Sequence, residues 1–142
     1  MYRRQIETVL KLEPATRKIF RGVYPIDRLP RRTPGAYVIS LDKHDEPGSH
    51  WVAVVDDGKR VEYFDSYGLP PSITTFLGYK AVYSTVPLQP LYSNACGFYC
   101  IYYIIQRSLG NSMSEILYLL SRIDSHYVVK TLLYQKYAGV FK

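Results

Sequence analysis

His50-Trp51-Val52-Ala53-Val54-Val55-Asp56-Asp57-Gly58-Lys59-Arg60-Val61-Glu62-Tyr63-Phe64-Asp65 is the stretch that decides the fold. Two runs rich in Val, Tyr and Phe flank a short polar centre, which is the pattern of two strands joined by a turn. Asp57-Gly58 suits a two-residue type I′ turn, whose positive φ angles Gly and Asp tolerate best. In that register Trp51 pairs with Phe64 and His50 with Asp65. The open end of the hairpin then carries a histidine facing a carboxylate, with Cβ atoms roughly 4.5–5.5 Å apart. A surface ion pair is the plainer account of the two, and a one-residue slip would put them on opposite faces.

Working outward, Ala36–Leu41 and Lys80–Thr85 read as further strands. Gln5 to Leu12 reads as a short helix that Pro14 stops, and Pro25, Pro30 and Pro34 mark an irregular, turn-rich segment. From Cys96 the pattern turns helical. Ser93 or Asn94 is placed to cap a helix reaching about Leu109, which Gly110 ends. Ser112 with Glu115 three residues on makes a capping box for a second helix, and a third spans Tyr127 to Tyr137. Strands followed by helices predict an α+β domain. The prediction is one domain over 1–142, with a basic segment at 1–34, a small, mostly antiparallel sheet at 35–90 and helices at 93–142.

Composition narrows the class. The chain has 142 residues, 47% hydrophobic and 21% charged, enough to bury a core. No run approaches the roughly 18 apolar residues of a membrane span, and the N-terminus lacks a signal-peptide stretch. Two cysteines exclude a disulfide-stapled scaffold, so an intracellular protein is expected. Residues 1–34 hold nine Lys/Arg against three acids, so the whole net charge of +6 lies there. Such a quarter suits a polyanion such as nucleic acid, or is a solvated face.

Cys96 stands where a helix begins, and the positive end of a helix favours a thiolate. Gly97 leaves the adjacent backbone open to an incoming chain. Cys100, one turn on among Phe98, Ile101 and Ile104, reads as core, and so would Cys96 if taken alone. His44 and His126 lack a facing carboxylate and read as surface histidines. A metal site from His50, Asp65, Cys96 and Cys100 fits poorly, because the thiol spacing is not that of a zinc motif. Together a thiol, an imidazole and a carboxylate are the parts of nucleophilic catalysis, in the chain order His, Asp, Cys.

At these residues the chain resembles the adenovirus-type (adenain-like) cysteine endopeptidases, above all the compact versions of Maverick/Polinton elements and related DNA viruses. A more distant similarity is to the SUMO-specific proteases. The resemblance rests on His50-Trp51, Asp65-Ser66-Tyr67-Gly68, Gln89 and Cys96-Gly97-Phe98-Tyr99-Cys100 in that order, and extends over about Ile19 to Gln106. Phe20-Arg21-Gly22-Val23-Tyr24 with Leu29-Pro30 looks like the family's N-terminal segment. It implies His50 as general base, Asp65 as its orienting partner, Cys96 as nucleophile and Gln89 as oxyanion-hole donor, with Trp51 and Gly97 along the substrate groove. Trp51 also suits a plain core position, and Gln89 alone would read as a loop residue.

Asp65 stands where adenovirus enzymes carry Glu and the SUMO proteases carry Asp. No cysteine lies between Asp65 and Cys96, so a disulfide-linked peptide activator is not expected. The resemblance implies cleavage of viral or element-encoded capsid precursors after small, Gly-type residues, in the host nucleus or cytoplasm or in the virion. Removal of a ubiquitin-like modifier, or a basic nucleic-acid-binding module on a protease-like fold, are the alternatives. No cofactor is expected to be required, DNA being a candidate activator through Arg3, Arg4, Arg17, Lys18, Arg31 and Arg32. A monomer acting on a protein or peptide substrate, away from membranes, completes the expectation.

Overall fold

A computed structural model describes residues 1–47, 50–78, 80–89, 94–122 and 124–141. Five strands form one sheet in sequence order: β1 (Phe20–Pro25), β2 (Gly35–Ser40), β3 (Trp51–Asp56), β4 (Val61–Phe64) and β5 (Val82–Tyr83). β2, β3 and β4 pair antiparallel, and β1 and β5 join the edges in parallel. The helices are α1 (Arg3–Leu12), α2 (Thr74–Leu77), α3 (Cys96–Ser108), α4 (Met113–Ser121) and α5 (Ser125–Lys136). The α+β class expected from the sequence is the one observed.

Every residue of β3 is buried, because both faces of the sheet are covered. Trp51, Ala53 and Val55 point to α3, which is apolar nearly all round, and share its core with Ile6, Val9 and Leu10 of α1. Val52 and Val54 point the other way, into a smaller cluster with Tyr37, Tyr63 and Phe76. The period of two thus sends alternate valines to different cores. The capping box of α4 is present as read, with Glu115 N–H donating to Ser112 Oγ at 3.1 Å and Ser112 N–H to Glu115 Oε1 at 3.0 Å.

The structure corrects four readings. Residues ahead of the irregular segment, given no element from the sequence, form β1, a partly exposed edge strand that joins by parallel pairing, with a register shift between Phe20 and Gly22. Turn propensity at Pro25 marks only its end. The four-residue helix α2, absent from the sequence reading, forms part of the smaller core through Phe76 and Leu77. The hairpin pairs Ala53 with Phe64 and Asp56 with Val61, two residues off the expected register. No non-glycine residue has positive φ among the described residues, which excludes a type I′ turn at Asp57-Gly58. Asp57 Oδ1 instead accepts from the N–H groups of Lys59 and Arg60, making a four-residue loop. Finally, α3 begins at Ala95 as N-cap, with no capping side chain; Ser93 lies outside the described residues.

A buried carboxylate ties the hairpin to α3. Glu62, 1% exposed, accepts from the Tyr103 hydroxyl at 2.6 Å and Arg107 Nε at 2.8 Å. Removing one partner leaves a buried charge short of its neutralising group. Arg107→Ala should therefore destabilise the fold by about 3 kcal/mol, read as a lowered urea midpoint with an unchanged slope.

Candidate active site

His50 precedes β3 and Asp65 follows β4, so the hairpin brings both to one end of the sheet. His50 Nε2 lies 3.1 Å from Asp65 Oδ1. The pair survives the register offset because an even shift leaves every side chain on its own face. Asp65 is 1% exposed, and its Oδ1 also accepts the Tyr67 N–H at 2.8 Å. The carboxylate is thus held from its own turn as it faces the ring.

Cys96 opens α3 and is 1% exposed. Its Sγ accepts the Trp51 N–H at 3.4 Å, which puts the sulfur beside the residue that follows His50. Burial pushes the His50 imidazole down, but contacts with Asp65 and Cys96 outweigh it and raise the pKa from 6.5 to about 9. Neither ring nitrogen has the alignment of a full hydrogen bond with a described partner, so the ring sits close to both groups without being locked to either. With Nε2 facing the carboxylate, Nδ1 is the nitrogen left for the sulfur. Cys100 is fully buried, and burial holds its thiol well above the ordinary range. That is the environment of an inert core thiol.

Gln89 comes to the same place by a close chain crossing. Gly68 has φ +73°, and a Cβ there would meet backbone atoms of Thr85, Val86 and Pro87 at 2.8 Å. Only glycine lets the two segments touch, and Leu88 N–H then bonds Ser66 O at 2.8 Å. Gln89 is 5% exposed, and neither end of its amide has an aligned hydrogen-bond partner among the described residues. A buried amide left open costs stability and marks a group awaiting a partner.

Tyr67, which the sequence reading quoted without giving it a role, touches every part of the site. Its ring stacks on His50 with centroids 4.6 Å apart and planes 21° from parallel. Burial and the nearness of Cys96 raise its phenol, and a contact with the Gln89 side chain offsets part of that rise. The signal was the Tyr67-Gly68 pair, one residue beyond Asp65: the aromatic covers the imidazole, and the glycine admits the segment carrying Gln89.

Other candidates fall into place individually. Trp51 is 4% exposed and packs in the main core, while also lining a surface cavity. The backbone of Gly97 is not open as expected: Met1 lies over it, and a Cβ would meet the Met1 Sδ at 2.6 Å. His44, read as lacking a carboxylate, has one: its Nδ1 lies 2.5 Å from Asp27 Oδ2. His126 lines a cavity along α5 with Tyr127 and Tyr134. Arg4, Arg17, Lys18 and Arg31 are exposed, and Arg3 is exposed but pairs with Glu7 at 2.8 Å. Arg32 is spent on Asp56 and the Phe76 carbonyl, so it braces the sheet against α2. Among the described residues no group of three or more His, Cys, Asp or Glu is arranged to hold a metal, and no helix is long and apolar enough to cross a membrane.

No family model matches the sequence, and no curated protein is similar to it. Among solved structures, the chain is similar to the ASFV pS273R protease at 23% identity and a TM-score of 0.43, over 58% of this chain and 38% of that one. It is also similar to the SUMO protease Ulp1 with its catalytic cysteine oxidised to a sulfinic acid, at 19% identity and a TM-score of 0.38, over 69% of this chain and 54% of that one. The form oxidised to a sulfonic acid gives the same identity and coverage at a TM-score of 0.39. The chain therefore spans between about two fifths and just over half of the proteases it matches.

Two expectations follow from the geometry. Asp65→Asn removes the group that raises His50, so the ring should lose its proton at a lower pH, seen by NMR of the imidazole carbons. In the parent protein the folded value exceeds 6.5, so the charged ring stabilises the fold fully below that pH. The contribution is lost as pH climbs through about 9, and thermal melts across that window should show a fall that Asp65→Asn flattens. Gly68→Ala should lower thermal stability and separate Gln89 from Tyr67, detected as altered Tyr67 ring shifts.

Proposed function

We propose that the protein is a cysteine endopeptidase with Cys96 as nucleophile, His50 as acid and base, Asp65 as orienting carboxylate and Gln89 as oxyanion donor. The observation that carries this reading is His50 standing between a buried carboxylate 3.1 Å from Nε2 and a helix-terminal thiol that interacts with the same ring. The order of His50-Trp51, Asp65, Gln89 and Cys96-Gly97 along the chain supports it independently.

In this mechanism His50 holds the proton that Cys96 gives up, and Asp65 stabilises that imidazolium beside the sulfur. The sulfur attacks the scissile carbonyl carbon, and the electron pair moves to the carbonyl oxygen. Gln89 Nε2, which has no aligned hydrogen-bond partner among the described residues, donates to that oxyanion. His50 returns the proton to the departing amine, leaving a thioester on Cys96. A water then gives His50 its proton and attacks the thioester, releasing the acid and restoring the thiol. A polypeptide precursor with small, Gly-type residues before the cut is the substrate proposed, capsid precursors being the biological case.

Labelling with a thiol-directed peptide probe ending in Gly-Gly tests the reading. Cys96→Ser should abolish labelling and turnover while Cys100→Ser keeps both; the opposite result overturns the assignment. Gln89→Ala should lower kcat by about 10²–10³ with little change in KM, since one oxyanion donor is worth that much. His50→Ala should remove turnover almost entirely, and His44→Ala should not.

A further inference from the structure

Beside the proposed site lies a cavity of about 280 Å³ whose lining includes the cations Arg3, Arg28 and Lys43 against one carboxylate, Glu46. The turn after β1 and the loop after β2 are stapled together: His44 N–H donates to Asp27 Oδ1 at 2.8 Å, and its ring meets Asp27 Oδ2. This brings Arg28 and Lys43 to the rim, against walls formed by Tyr24 and Trp51. Neither cationic side chain has a hydrogen bond or ion pair among the described residues. Of the other two charged side chains, Arg3 pairs with Glu7, and Glu46 is turned to the loop backbone, its Oε1 accepting the Lys43 N–H at 2.9 Å.

We infer that this cavity is a specificity subsite that takes an Asp or Glu side chain of the substrate polypeptide, close to the scissile bond. The inference rests on the protease reading above and adds to it a substrate class. Trp51 links the two places, since it lines the cavity and its N–H donates to Cys96 Sγ at 3.4 Å. An extended peptide advances roughly 3.3 Å per residue, so the acidic side chain falls within about five positions of the cut. Two unpaired cations over aromatic walls favour a carboxylate whose methylene stem lies on the rings. Both cations are exposed, so the selectivity is moderate and weakens with salt.

The test is cleavage of a mixed peptide library, with the residues flanking each cut read by mass spectrometry. The wild-type protein should enrich Asp or Glu at one position by about three- to tenfold, less at high salt. Arg28→Glu/Lys43→Glu should invert the preference to Lys or Arg at the same position, and the milder Arg28→Gln/Lys43→Gln should erase it. Lys11→Glu/Lys59→Glu, with an equal change in net charge, should keep the wild-type preference. Cleavage without any acidic enrichment, or an enrichment that both pocket variants retain, overturns the subsite while leaving the protease reading intact. A wild-type protein that cleaves no peptide overturns the protease reading, and the subsite with it.

Discussion

Burial of β3 on both faces is the constraint on which the rest of the structure depends. A strand with one wet face could carry the hairpin, but it could not fix α3 on one side and the Tyr37–Phe76 layer on the other. Because α3 lies along β3, the first residue of the helix and the residue before the strand meet at the same end of the sheet. The thiol and the imidazole are neighbours because the valines between them have nowhere else to go. Asp65 arrives by the same route, one hairpin turn later.

Electrostatics then divides the charged residues between two duties. Glu62, Arg107 and Tyr103 form a closed set between sheet and helix, and Arg32 with Asp56 forms another between sheet and α2. Glu62 Oε1 is shared by Tyr103 and Arg107, while its Oε2 has no aligned hydrogen-bond partner among the described residues. At the site the balance differs: Asp65 and Cys96 raise the His50 imidazole to about 9 against the effect of its burial, while the Gln89 amide has no aligned hydrogen-bond partner among the described residues. Apart from Glu62 Oε2, the buried polar side-chain atoms without an aligned partner among the described residues belong to His50, Asp65, Ser66 and Gln89, at the end of the sheet where the thiol lies.

Much of this was legible in the residues. Alternating apolar runs located β2, β3 and β4, and Ser112 with Glu115 located the start of α4, because each signal is local and has a single physical reading. His50 and Asp65 were found through a register that proved wrong by two residues, and only the parity of the strand repeat kept them facing. β1 was missed because its pairing is parallel and its partner lies across a proline-rich turn, so nothing within its own six residues announces it. Gly97 was read as open because the sequence shows no neighbour for it; Met1, almost a hundred residues away, fills the space. Likewise the carboxylate of His44 stands 17 residues earlier in the chain.

The functional groups all sit at ends: before β3, after β4, at the first residue of α3 and in the loop ahead of it. Backbone at the ends of elements opens with far less free energy than the middle of a strand buried on both sides. On gentle heating or in dilute denaturant, the geometry among His50, Asp65, Gln89 and Cys96 will therefore dissolve while β2, β3 and β4 still exclude solvent. An intermediate regime is expected, in which spectroscopy reports a native fold while the geometry of the proposed site is already lost.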